Sequence, residues 1–175
     1  MTLLTNKSTL GLWQEVIAHA EERCAIQLHQ ELEMYLVSLL MRHTNHPELA
    51  KQIFAKAFLK AVQLHSQERM HALQCVGDEC LIYAGLFPKT AAKRLVTISY
   101  FVNLGKSAYS AISYKTNDLF DSLSIQFVSL MDVLQSISHS NDLLPLEAYE
   151  QWDQVGSLRA LNLLKNYTHG LPLKK

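Results

Sequence analysis

Glu68 and His71 stand three residues apart, a spacing that on a helix puts a carboxylate and an imidazole on one face. Carboxylate-bridged metal bundles use this pair, but they repeat it on a second helix and add two further inward glutamates. Glu15, Glu22, Glu31 and Glu33 supply carboxylates, yet none is followed three residues later by histidine. The single copy therefore reads as a solvated helix start, with Glu68 near the positive end of the helix dipole. His43 and His46 form a second pair, close enough in sequence for two imidazoles to reach one zinc. No cysteine or carboxylate of matching spacing accompanies them. His43 reads better as a last-turn residue facing the negative helix end, and His46 as a cap. No cofactor is expected, and the metal candidates are confined to Glu68, His71, His43 and His46.

Cys75 and Cys80 lie five residues apart, about 140° around a helix, so they neither share a ligand nor bond to each other without unwinding it. Both are expected as buried small hydrophobes. With Cys24 they make an odd set of three and form no paired framework, which fits a compartment where thiols stay reduced, the cytoplasm. The chain contains no nucleophile elbow, phosphate loop, dinucleotide fingerprint or metalloprotease helix.

The most distinctive local sequence runs from Gly77 to Tyr109: G-D-E-C-L-I-Y-A-G-L-F-P, then K-R-L-V-T-I-S-Y-F-V-N-L-G-K-S-A-Y. It resembles a family of uncharacterised, all-helical bacterial proteins. The resemblance covers about a fifth of the chain and implies a bacterial source, with no activity attached. Gly77 and Gly105 fall inside predicted helices, where each costs about 1 kcal/mol relative to alanine, so close helix approach is the economical explanation. Asp78 and Arg94 are the charges nearest that seam and are expected either to bridge it as an ion pair or to hold an anion. Tyr100 and Tyr109 join them as interaction or anion-binding candidates.

Successive amphipathic helices must position these residues. Ser8 or Thr9 caps a first helix that ends near Arg23. A second runs from about Ala25 to His43 on Ile26, Leu28, Leu32, Leu36 and Leu39. A third starts at Pro47, with proline at its first position and Glu48 facing the dipole. A fourth spans about Gln67 to Ala84, with Gly85 placed to end it and Pro88 just beyond. The segment Arg94 to Leu104 alternates as a strand would through Val96, Ile98, Tyr100 and Val102. The helical stripe Leu95, Ile98, Phe101, Val102, Gly105, Ala108 and Ile112 decides it as helix, because no second strand-like run exists to pair with it. Asn117 caps a sixth helix through Ile137. The last starts near Pro145 and kinks at Gly156 and Ser157. The expectation is a single all-α domain over residues 1–175, an irregular bundle of six or seven helices with frayed tails at about 1–8 and 167–175.

Composition narrows the function classes. Apolar residues make up 49% of the 175 and charged residues 18%, rich in core formers and below the usual share of about 25% charged. Sixteen basic residues balance sixteen acidic ones, which argues against nucleic acid and anionic membrane as partners. Residues 1–46 carry three basic and five acidic side chains, 47–106 eight and four, and 107–175 five and seven. The basic middle third, with Lys51, Lys56, Lys60, Lys89, Lys93, Arg94 and Lys106, reads as a solvated face. The longest apolar run, Tyr35 to Met41, is far short of the roughly 20 residues a membrane span needs. Val37, Met41, Ile125, Val128 and Val133 lie outside the main apolar faces and predict a homo-oligomer or a protein partner. Two functions compete. The leading one is a non-catalytic interaction or adaptor module. The other is a small-ligand or metal-dependent enzyme built in the bundle core around Glu68, His71, Asp78, Tyr100 and Tyr109.

Overall fold

The computed structural model describes residues 8–45, 54–93, 96–114 and 118–168. Among these residues the chain forms ten α-helices, α1 (Thr9–Cys24), α2 (Gln30–Asn45), α3 (Phe54–Gln63), α4 (Ser66–Leu86), α5 (Pro88–Lys93), α6 (Ile98–Ile112), α7 (Leu119–Ile125), α8 (Phe127–Gln135), α9 (Pro145–Val155) and α10 (Leu158–Thr168), with a 3-10 turn at His139–Asn141 and no strand. None of the helices described is long and apolar enough to cross a membrane.

Local chemistry accounts for most of the boundaries. Ser8 Oγ accepts the Gly11 N–H, so the hydroxyl caps α1 as its position predicts. At the far end Ala25 takes the left-handed conformation (φ 54°), and the Ile26 N–H reaches back to the Glu21 carbonyl. Glu21 then accepts the Leu28 N–H at 2.7 Å, which holds residues 25–29 out of helix. The second helix therefore begins at Gln30 and not near Ala25. Asp118 caps α7 by accepting the Asp121 N–H at 2.7 Å, while Asn117 lies outside the described residues. The alternating segment is helical from Ile98, as its stripe predicts.

The expected six or seven helices become ten because three connections are sharper than their periodicity shows. Pro88 opens the short α5 where a turn was expected, since proline suits a first helical position. Gln126 leaves the helical region (φ −96°, ψ 17°) and divides the long sixth helix into α7 and α8. Gly156 adopts φ 75° and accomplishes a full break, where only a kink was expected. Gly85 departs from expectation in the other direction. It lies buried inside α4, against Leu134, and Phe87 caps the helix in its place.

The core is organised around α4. From Val76 to Gly85 all but one of its residues are buried, so its apolar surface extends around the whole helix, as befits one enclosed by α3, α6 and α8. A β-carbon on Gly77 would stand 2.6 Å from the Tyr109 ring, and one on Gly105 would stand 2.4 Å from the Phe127 ring and 3.1 Å from Cys80 Cβ. Gly77 thus seats the Tyr109 ring at the α4–α6 crossing, and Gly105 seats the Phe127 ring where α8 packs on α6. The α9–α10 pair has its own small core of Leu143, Ala148, Ala160 and Leu164. Val37 and Val133, which the sequence leaves as surplus apolar surface, are fully buried; Met41 and Val128 are half-buried, and Ile125 is exposed.

Candidate functional site

Three helices meet at Asp78. Tyr35 and Arg42 come from α2, Gln74 and Asp78 from α4, and Tyr109 from α6. The Tyr35 and Tyr109 hydroxyls both donate to Asp78 Oδ1, at 2.6 and 2.7 Å, and Arg42 pairs with Oδ2 at 3.2 Å. Gln74 Nε2 donates to the Tyr35 hydroxyl at 3.1 Å. The empty side of Gly77 is what lets the Tyr109 ring come close enough to reach the neighbouring carboxylate. The two tyrosine rings meet edge to face, with centroids 6.3 Å apart.

Electrostatics at this junction favours holding over reacting. Burial pushes the Asp78 carboxyl above its usual range, opposed by the hydrogen bonds of both tyrosines and by Arg42. Burial, then the nearby Asp78 charge, raises both phenols well above theirs. The tyrosines therefore stay protonated as donors, and a phenolate nucleophile or base is disfavoured. With Oδ1 engaged twice and Oδ2 on Arg42, the carboxylate pins α2, α4 and α6 together.

The predicted site residues separate around this cluster. Asp78 and Tyr109 are joined, whereas Tyr100 is half-buried and packs edge-on against Phe101 at 5.4 Å. Glu68 and His71 are exposed at the start of α4, and the His71 ring lies 3.7 Å from Cys75 Sγ. His43 packs against Phe87 at 5.9 Å, and burial lowers its pKa. Arg94 and His46 lie outside the described residues, and the cation found at Asp78 is Arg42. Cys80 is buried as expected, and Cys24 is buried too, but Cys75 is exposed where burial was expected, because the stripe it shares with His71 faces outward. Among the described residues no three His, Cys, Asp or Glu side chains gather as a metal set.

A second buried polar network was not foreseen. Asp132 on α8 accepts the Ser157 hydroxyl at 2.5 Å and the Arg159 backbone N–H at 3.2 Å. Ser157 Oγ also accepts the Ala160 N–H at 3.0 Å, so this serine caps α10 and is not poised as a nucleophile. Gln135 donates to the Ala84 carbonyl, exchanges hydrogen bonds with Gln151, and accepts from the Arg159 guanidinium at 3.1 Å. The network fastens α9 and α10 to the main core. Its sequence signal was available: Asp132 is a lone charge in the run Leu130, Met131, Val133, Leu134, and such a charge must find buried partners.

Burial raises the Asp132 carboxyl to about 6, against the opposing pull of the Ser157 hydroxyl and of the Arg159 N–H and guanidinium. The folded value lies above the ordinary 3.8, so folding favours the protonated acid. The stability this group confers is complete below about pH 4 and is lost as the pH rises through about 6, a change on the order of 2–3 kcal/mol. Urea unfolding at several pH values is expected to show this decline in the native chain and not in Asp132→Asn. Equal pH slopes in the two proteins would rule it out.

Two clefts open on the surface, the first of them bordered by Gln151 of the second network. One, of about 540 Å³, opens between the α5–α6 connection and α9, with Val96, Ile98 and Leu143 beside Lys89, Glu147 and Glu150. The other, of about 550 Å³, runs between α3 and α4. Comparison with family models, with curated proteins and with solved structures finds no match for this chain.

Proposed function

We propose that the chain is a non-catalytic protein-interaction or adaptor module that associates with further copies of itself. The observation that carries this reading is a concentration of exposed apolar side chains around α9 and the start of α10: Leu144 (66% exposed), Leu146 (69%), Tyr149 (46%) and Leu158 (54%). Exposed apolar side chains gathered in one region mark interaction surfaces more often than singly scattered ones do. The internal pairing of Asp78 and Asp132 supports the same reading, because the most buried acidic groups described are committed to joining helices. Three free cysteines support a reducing compartment such as the cytoplasm.

Light scattering coupled to size-exclusion chromatography tests the reading. A mass above the 19.9 kDa of one chain, rising with loading concentration, is expected. A mass of 19.9 kDa at every concentration would refute self-association.

A further inference from the structure

Two helices, α3 and α9, each carry charges of one sign only, and the signs are opposite. On α3, Lys56, Leu59, Lys60 and Gln63 fall at i, i+3, i+4 and i+7, all exposed, and the helix carries no acidic residue. On α9, Leu146, Tyr149, Glu150 and Asp153 repeat that spacing, all exposed, and the helix carries no basic residue. Each stripe therefore offers apolar side chains beside charges of a single sign, and the signs are opposite. Beside the α3 stripe lies the α3–α4 groove, with Ala57, Ala61, Ala72 and Val76 among its lining and Lys56 and Lys60 on its α3 side. Glu79 on the α4 wall confines the basic character to the α3 lip.

We propose that α9 of one copy docks into the α3–α4 groove of a second copy, with Leu146 and Tyr149 against the small apolar side chains and Glu150 and Asp153 facing Lys56 and Lys60. This rests on the self-association reading and names the two faces that meet. Along a helix Lys56 and Lys60 are separated by about 6 Å and Glu150 and Asp153 by about 4.5 Å, a mismatch that a lysine stem spans easily. The small side chains leave room for an aromatic ring, and a half-exposed tyrosine is a common interface anchor. The charges choose register and partner more than they add affinity. Because one face meets a different face, the contact either closes into a ring or continues as a chain of copies.

Paired charge reversals decide it. Sedimentation velocity of the full chain is expected to show association that weakens at high salt. It is expected to weaken by at least about tenfold in Lys56→Glu/Lys60→Glu and in Glu150→Lys/Asp153→Lys, each still helical by circular dichroism. An equimolar mixture of the two variants restores opposite charges across the interface and is expected to associate as the native chain does. If both variants associate like the native chain, or if the mixture does not recover, this interface is wrong while self-association stands. If the native chain stays at 19.9 kDa throughout, the underlying reading fails as well.

Discussion

Gly105→Ala is expected to lower the free energy of unfolding by about 1–3 kcal/mol, and Gly105→Leu by more. Alanine inside a helix normally gains about 1 kcal/mol over glycine, so the expected sign is the reverse of the propensity rule. The reversal comes from space. The added β-carbon would stand 2.4 Å from Phe127 Cε2 and 2.5 Å from Cζ, with Cys80 Cβ at 3.1 Å on the facing helix. Phe127 is fully buried on α8, so its ring has no solvent to swing into, and α8 must move away from α6. Gly11 is the control. There a β-carbon would meet only Ser8 Oγ at 3.6 Å, and Gly11→Ala should be tolerated or slightly stabilising. Urea denaturation of the variants reads the difference. A Gly105→Ala chain more stable than the native one would show that no close crossing exists at this position.

Asp78→Ala is expected to cost about 3–5 kcal/mol. Its removal strands the fully buried Tyr109 hydroxyl, which has no exposure through which water could replace the acceptor, and takes the same acceptor from the half-buried Tyr35 hydroxyl. Arg42 contributes less, because its side chain is 52% exposed and regains hydration when the pair is broken. Tyr109→Phe, which removes one donor and leaves the carboxylate with its other partners, should cost only about 1 kcal/mol. Thermal and urea unfolding of both variants provide the comparison. A loss below about 1 kcal/mol for Asp78→Ala would mean that the junction does not hold α2, α4 and α6 together.

What the amino-acid order alone determined here is whatever depends on neighbours within a few residues. The helical stripe from Ile98 to Ile112 prevails over an alternation that would suit a strand, because a strand needs a partner the chain does not contain. Ser8 caps α1 because its hydroxyl reaches an N–H three residues away. The residues Gly77, Asp78 and Gly105 were identifiable as unusual because glycine and charge are costly inside apolar helices.

Tertiary structure decided which partners those residues take and where the surplus apolar surface goes. Periodicity records that Asp78 faces inward, but only the crossing of three helices puts Tyr35, Tyr109 and Arg42 around it, from positions 43, 31 and 36 residues away. Gly85 follows the pattern of a helix-ending glycine, yet Leu134 packs against it and α4 continues. The placement of α10 after the break at Gly156 likewise follows from docking. Asp132 can hold Ser157 and the Arg159 N–H only if α10 starts afresh beside α8, an arrangement set by contacts about 25 residues apart and therefore invisible to any local period. Val37 and Val133 lie off the stripe of their own helices and are nonetheless buried, because α2 and α8 pack against neighbours on more than one side.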